Sequence, residues 1–71
     1  MTADEWLAAF AAAAGTSVPT DEEIDALLML AGAAAHASER TAAPVACWIA
    51  ARAGLDPARA LEIAESLPTS G

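Results

Sequence analysis

The side chains best suited to chemistry lie close together, between residues 36 and 41 of the 71-residue chain. His36, Glu39 and Arg40 are separated by three and four positions, so on a continuous helix they would project from neighbouring points of one face. Ser38 adds a hydroxyl between them. An imidazole, a carboxylate and a guanidinium arranged in this way are suited to holding an anionic ligand or to moving a proton.

The same residues also have a structural and a surface interpretation. Arg40 can donate to carbonyls at a helix end or pair with an acid, Glu39 can stabilise the start of the next helix, and His36 can cap a carbonyl. Alternatively, His36 and Arg40 can face a partner protein. Catalysis would also need a nucleophile or metal and a pocket that excludes water. We therefore assign no catalytic residue and predict that the protein is not an enzyme.

Two further candidates follow in the next helix. Trp48 and Arg52 are four residues apart, share a side with Val45 and Ile49, and allow the guanidinium to stack on the indole. Core packing is the preferred role of Trp48, as it is of Trp6. The candidate interaction or ligand corner consists of His36, Ser38, Glu39, Arg40, Trp48 and Arg52.

No other motif indicates a metal or a cofactor. Cys47 is the one cysteine, which excludes an internal disulfide and leaves no thiolate set for zinc. We expect it to pack as a small core hydrophobe. The acidic run at residues 21–23 suits the positive end of a helix dipole, and it lacks the alternating ligands of a calcium loop. We predict no bound metal and no cofactor.

Helix signals divide the chain into four elements. Capping boxes at Thr2 and Thr20, and an Asp56-Pro57 start, mark three helix beginnings. Thr41 is the expected N-cap of the remaining helix, because Pro44 is tolerated only in a first turn. Gly15 and Gly54 mark two helix ends. The pattern predicts helices at about 3–14, 21–38, 42–53 and 57–67 within a single domain of residues 1–71.

These helices should form a compact, four-helix bundle-like, all-α domain. Residues 44–53 are apolar on every side except at Arg52, so we expect the other three helices to enclose this segment. The stretch that leads into it and bears Arg40 should serve as a scaffold or docking corner. The second helix offers two apolar stripes. One consists of Ile24, Leu27, Leu28, Ala31, Ala35 and Ser38, and the other of Met29, Ala33, His36 and Arg40.

Composition limits the partners and the compartment. The net charge is −7, with three arginines and no lysine, so nucleic acid and anionic membranes are not expected partners. The apolar runs are too short to span a bilayer and no secretion signal is visible, so we expect a cytoplasmic protein. More than half of the residues are apolar, but most of these are alanine, and the thin core favours a homodimer.

Several features together resemble a known family: Trp6 in an alanine-rich helix, Asp21-Glu22-Glu23, His36-Ala37-Ser38-Glu39-Arg40, Ala43-Pro44, Trp48 and Ala53-Gly54. Over nearly its whole length the chain resembles a small actinobacterial domain of unknown function. That domain stands alone in many proteins, and in others it extends the C-terminus of molybdenum cofactor guanylyltransferases, which join a guanine nucleotide to molybdopterin. The glycine-rich nucleotide-binding segment of those enzymes has no counterpart here.

The resemblance implies a non-catalytic accessory or interaction module that associates with a molybdenum cofactor guanylyltransferase. The alternative is a small ligand-binding or enzymatic domain in which His36, Glu39 and Arg40 hold an anion such as a pterin phosphate. A small acidic helical domain also fits an acyl or peptidyl carrier. Carriers, however, need a serine at the start of their second helix, whereas Ser38 lies near the predicted end of that helix.

Overall fold

The computed structural model describes residues 1–68, which form four α-helices: α1 (Ala3–Ala14), α2 (Asp21–Ala37), α3 (Ala42–Arg52) and α4 (Pro57–Ser66). Residues 1–68 contain no strand. The all-α prediction is confirmed, and three of the predicted helices end one residue early. The last residues of the predicted domain, 69–71, lie outside the described part.

Local sequence signals explain most of the helix ends. The Thr2 amide donates to Glu5 Oε1 at 2.9 Å, and the Glu5 amide donates back to Thr2 Oγ1 at 3.1 Å. Thr20 and Glu23 form the same pair at 2.8 and 3.1 Å. Both predicted capping boxes are therefore present, and each satisfies two amides that a helix start leaves unpaired.

Gly54 ends α3 with a φ of 72°, in the left-handed region that glycine adopts without strain. Its amide donates to the Ala51 carbonyl at 3.1 Å, and the Leu55 amide donates to the Ala50 carbonyl at 3.0 Å. This pair of bonds is a Schellman motif. It reverses the chain and brings Leu55 back towards the core.

Two predicted N-caps have the right position but lack the expected hydrogen bond. Thr41 precedes α3 with helical backbone angles, and its side chain makes no cap bond. Asp56 precedes α4 with extended backbone and also makes no side-chain cap bond, although Pro57 follows at the first helical position. Backbone bonds replace the Thr41 cap, since the Ala42 amide donates to the Glu39 carbonyl at 2.9 Å.

The central element is α2, which packs along both α3 and α4, while every other pair of helices is at most in marginal contact. The core is small and consists of Leu30, Ala50 and Ala60. The partly buried side chains that pack against it are Leu27, Cys47, Leu55 and Ala64. Cys47 is therefore a half-buried free thiol next to the core, as expected.

The predicted enclosure of α3 is wrong. Val45, Trp48 and Ile49 are 55%, 66% and 58% exposed, and only Ala50 of this helix is buried. One side of α3, bearing small residues, rests on α2, while Val45 and Trp48 project into solvent. Trp6 is also exposed, at 53%, so the predicted core packing of both tryptophans is wrong. A helix that is apolar on all sides, such as α3, is therefore not necessarily enclosed by other helices.

The two predicted stripes of α2 also need correction. Leu28 and Met29 are 67% and 58% exposed, whereas Leu30, which belonged to neither stripe, is 4% exposed and lies at the centre of the core. Residues 26–35 are nearly all apolar, so helical periodicity alone does not select the inward face. None of the described helices is long and apolar enough to cross a lipid bilayer.

Candidate functional site

The segment around residue 40 is a turn rather than a continuation of α2. His36 is exposed in the last turn of α2, the helix ends at Ala37, and Ser38 has φ −140° and ψ −96°, outside helical geometry. Glu39 and Arg40 follow in the connection to α3. The spacing of three and four residues therefore does not align His36, Glu39 and Arg40 on one helix face.

The structural roles predicted for this turn are not observed. Within residues 1–68, the side chains of His36, Glu39 and Arg40 make no hydrogen bond and no ion pair. Ser38 is the exception, because its Oγ donates to the Ala34 carbonyl at 2.8 Å and caps the end of α2. The three ionisable side chains are exposed to solvent and free to contact another molecule.

A shallow depression of about 450 Å³ lies beside the turn. We name it the corner depression, and it is lined by Ser38, Glu39, Thr41, Ala42 and Val45. His36 and Arg40 are not among these residues. Its polar groups are exposed, no polar side-chain atom of the described chain is buried without a partner, and nothing shields it from water. These features do not favour catalysis or a dedicated anion site.

Trp48 and Arg52 do not complete that depression. Trp48 projects into solvent, and Arg52 lines a separate shallow depression with Ile49 and Ala53. Among the described residues the aromatic contact is between Trp6 and Phe10, and no stacking of Arg52 on Trp48 is present. The candidate corner is therefore two adjoining patches: the corner depression and the outward side of α3. Val45 belongs to both.

We name the outward side of α3, Val45 and Trp48, the α3 face. A similar face on α1 was missed in the sequence. Trp6 and Phe10 are stacked at 5.1 Å with an interplanar angle of 12°, and both remain more than half exposed. Their spacing of four residues among alanines was the available signal, although it was assigned to the core.

An apolar groove between α3 and α4 was also missed. We name it the α3–α4 groove, with a volume of about 180 Å³ and a lining of Leu30, Ala46, Ile49, Ala50, Leu55, Ala60, Ile63, Ala64 and Leu67. A neighbouring stretch of about 340 Å³ shares Leu30 and Leu67 and continues to Ser38 and Pro68. The signal for a groove was the series of alanines in α3 and α4, because alanine side chains fill little space.

Titratable groups give little indication of chemistry. Within residues 1–68, no three His, Cys, Asp or Glu side chains are close enough together to hold a metal ion. The pKa of the Glu5 carboxyl is lowered, first because the Thr2 backbone amide donates to it and second because of the Thr2 side chain. That lowered pKa results from the capping box at the start of α1.

Comparison with known proteins assigns the chain to a family. The model of a domain of unknown function, DUF6457, matches residues 1–68. The chain belongs to the DUF6457 family. This match confirms the resemblance to a small domain of unknown function. No curated protein and no solved structure matches the chain.

Proposed function

We propose that this DUF6457 domain is a non-catalytic protein-interaction module that docks on a molybdenum cofactor guanylyltransferase. The observation that carries the proposal is the α3 face, on which Trp48 is 66% exposed and Val45 55% exposed. Val45 also lines the corner depression, so an apolar surface adjoins a polar rim that includes Glu39. This combination is the usual anatomy of a protein-binding surface.

The exposure of Trp48 favours docking over a purely structural role for α3. Scaffolding by an enclosed α3 would have required Trp48 to be buried, and it is not. Tryptophan contributes disproportionately to binding energy at interfaces, where its large flat surface is desolvated by a partner. Contiguous exposed apolar side chains are a feature of protein interaction sites.

The choice of partner rests on the resemblance to domains fused to these transferases. Protein segments fused in one species frequently associate as separate chains in another, which is an argument by analogy. The net charge of −7 adds a physical condition, since the contacting surface of the transferase should be neutral or basic. The proposal includes a cytoplasmic, actinobacterial setting, where a free thiol such as Cys47 stays reduced.

Co-expression with a molybdenum cofactor guanylyltransferase and size-exclusion chromatography test the proposal. We expect co-elution with the wild-type domain and at least about a tenfold loss of affinity for Trp48→Ala, as is typical of an interface hot spot. Leu28→Ala is the matched control, because Leu28 is 67% exposed on a different helix. Absence of co-elution, or equal binding by Trp48→Ala and wild type, would contradict the proposal.

A further inference from the structure

The α3–α4 groove is a shallow apolar depression that another helix could cover. Its floor is Leu30 of α2, and its walls come from α3 and α4, which both pack on α2 and have at most marginal contact with each other. Four of the nine lining residues are alanines, Ala46, Ala50, Ala60 and Ala64, so another helix can approach closely along them. Its exposed lining is almost wholly apolar, and water in it gains few hydrogen bonds.

The α1 helix lacks close packing partners within its own chain. It has at most marginal contact with any other helix, and Ala11 is its one buried residue. Trp6, Leu7 and Phe10 lie on one side of it and are 53%, 37% and 58% exposed. An amphipathic helix of 12 residues is not stable alone in water and needs a surface to cover its apolar side.

We propose that two copies of this chain form a helix-exchanged homodimer, in which α1 of each copy occupies the α3–α4 groove of the other. Trp6 and Phe10 are the side chains that enter the groove, and Ile49 and Leu67 form its rims. A reciprocal exchange is closed by two-fold symmetry, so it yields a dimer and not an open polymer.

The dimensions of the elements fit this arrangement. At 1.5 Å per residue, α1 is about 18 Å long, and α3 and α4 are about 16 and 15 Å long. Residues 15–20 connect α1 to α2 and can reach about 20 Å when extended. This reach allows α1 to leave its own chain and to lie in a neighbouring groove.

Charge complementarity gives α1 a direction in the groove. Its charged side chains, Asp4 and Glu5, both lie in its first turn. Arg52 in the last turn of α3 lies where residues 53–56 join α3 to α4, as does Arg59 in the first turn of α4, which already contacts Glu62. Arg52 has no ion-pair partner within residues 1–68 and adjoins the groove rim at Ile49. The first turn of α1 therefore belongs at that end.

The surface area of the chain supports a second copy. A folded monomer of 7.1 kDa should expose about 4,100 Å², whereas this chain exposes 5359 Å². The excess is on the order of 1,000 Å², and a stable interface buries about 800 Å² on each partner. The radius of gyration of 12.8 Å also exceeds the roughly 11 Å of a compact 71-residue domain. One copy of the same chain is sufficient to cover this excess.

Light scattering coupled to size-exclusion chromatography gives the first test. We expect the full chain to have twice the monomer mass of 7.1 kDa. Phe10→Glu and Ile49→Glu should each raise the dissociation constant by about tenfold or more, because each places a carboxylate in an apolar interface. Both side chains are 58% exposed in the single chain, so neither change removes a core contact.

A mixing experiment distinguishes exchange from other dimers. Phe10→Glu retains an intact groove and Ile49→Glu retains an intact α1, so one normal α1–groove contact is restored when the two variants are combined. We expect the mixture to form a mixed dimer, whereas each variant alone is monomeric. Direct pairing of one α1 with the other α1 predicts no such rescue.

Three results would overturn the proposal: a monomeric wild-type chain, a dimer unaffected by Phe10→Glu and Ile49→Glu, or no rescue on mixing. Trp48→Ala is the matched control, because it changes the α3 face and leaves the groove lining intact. It should remain dimeric while losing the transferase, so failure of dimerisation and failure of the proposed function are separable.

Discussion

At the scale of single residues, the positions with the most reactive side chains contribute least to the fold. Arg40 makes no ion pair or side-chain hydrogen bond within residues 1–68, and Arg59 makes one exposed contact, with Glu62 at 3.7 Å. Because the Arg40 guanidinium is solvated and has no such partner, its removal should not lower the stability of the fold. Arg40 is therefore available for a partner, without being required for folding.

We predict that Arg40→Ala changes the free energy of unfolding by less than about 0.5 kcal/mol. Arg59→Ala is the control and should cost no more than about 1 kcal/mol, since an exposed ion pair contributes little. Urea denaturation followed by circular dichroism measures both. A loss well above 1 kcal/mol for Arg40→Ala would mean that Arg40 has a structural partner.

The acid sensitivity of α1 should depend on one carboxylate. Hydrogen bonds from Thr2 lower the pKa of Glu5 below its unfolded value. The cap should therefore contribute its stability above the unfolded pKa and lose it as the pH falls through the lower folded pKa. Hydrogen exchange of the Glu5 and Trp6 amides should accelerate in that range.

Glu5→Gln is the control for this prediction, because an amide can still accept from the Thr2 backbone but does not titrate. Its amide protection in the first turn of α1 should be independent of pH over the same range, once the intrinsic pH dependence of exchange is removed. An equal acid response in wild type and Glu5→Gln would assign the effect to another carboxylate.

At the scale of the elements, helix ends were predictable and helix faces were not. Thr2 with Glu5 and Gly54 with Leu55 act through bonds that span three to five residues, so the sequence contains the whole signal. Leu30 and Leu28 illustrate the opposite case. They are two positions apart in a nearly uniform apolar run, and only packing against α3 and α4 makes one buried and the other exposed.

The candidate site was predicted in part for the same reason. The exposure of His36 and Arg40 follows from a turn after Ala37, but their separation from the corner depression depends on backbone angles at Ser38 that side-chain spacing does not contain. The α3–α4 groove depends on the angle between α3 and α4 where both pack on α2. No local pattern specifies that angle.

Two glycines in similar open surroundings should respond to substitution in opposite directions. A Cβ added at Gly54 or at Gly32 meets nothing within 4 Å, but only Gly54 has a left-handed backbone, with φ +72°. We expect Gly54→Ala to destabilise the fold by about 1–2 kcal/mol. Gly32→Ala, inside α2, should stabilise it by roughly 0.5–1 kcal/mol. Chemical denaturation measures both, and a matching sign for the two variants would contradict the assignment of strain.

At the scale of the whole molecule, the buried core is small. Four apolar residues are buried: Leu30, which is large, and three alanines. A single core in a chain of this length supplies only about 3–5 kcal/mol even when well packed. Truncating Leu30 to alanine would cost a comparable amount, about 2–5 kcal/mol. The apolar side chains left exposed, such as Trp6 and Phe10, add to stability only where another molecule covers them.

Coupling of folding to association has a consequence that does not depend on any assumed contact. If the native form is a dimer, the thermal midpoint must rise with protein concentration, by roughly 3–5 °C for each tenfold increase in a domain of this size. Circular dichroism melts over a hundredfold concentration range measure this slope.

Phe10→Glu should flatten the slope and lower the midpoint at high concentration, because it removes the dimer without touching the core around Leu30. Leu28→Glu places the same charge on an equally exposed apolar residue outside the groove lining, so it should retain the wild-type slope. A midpoint independent of concentration in the wild-type chain would mean that the small core around Leu30 suffices for the monomer.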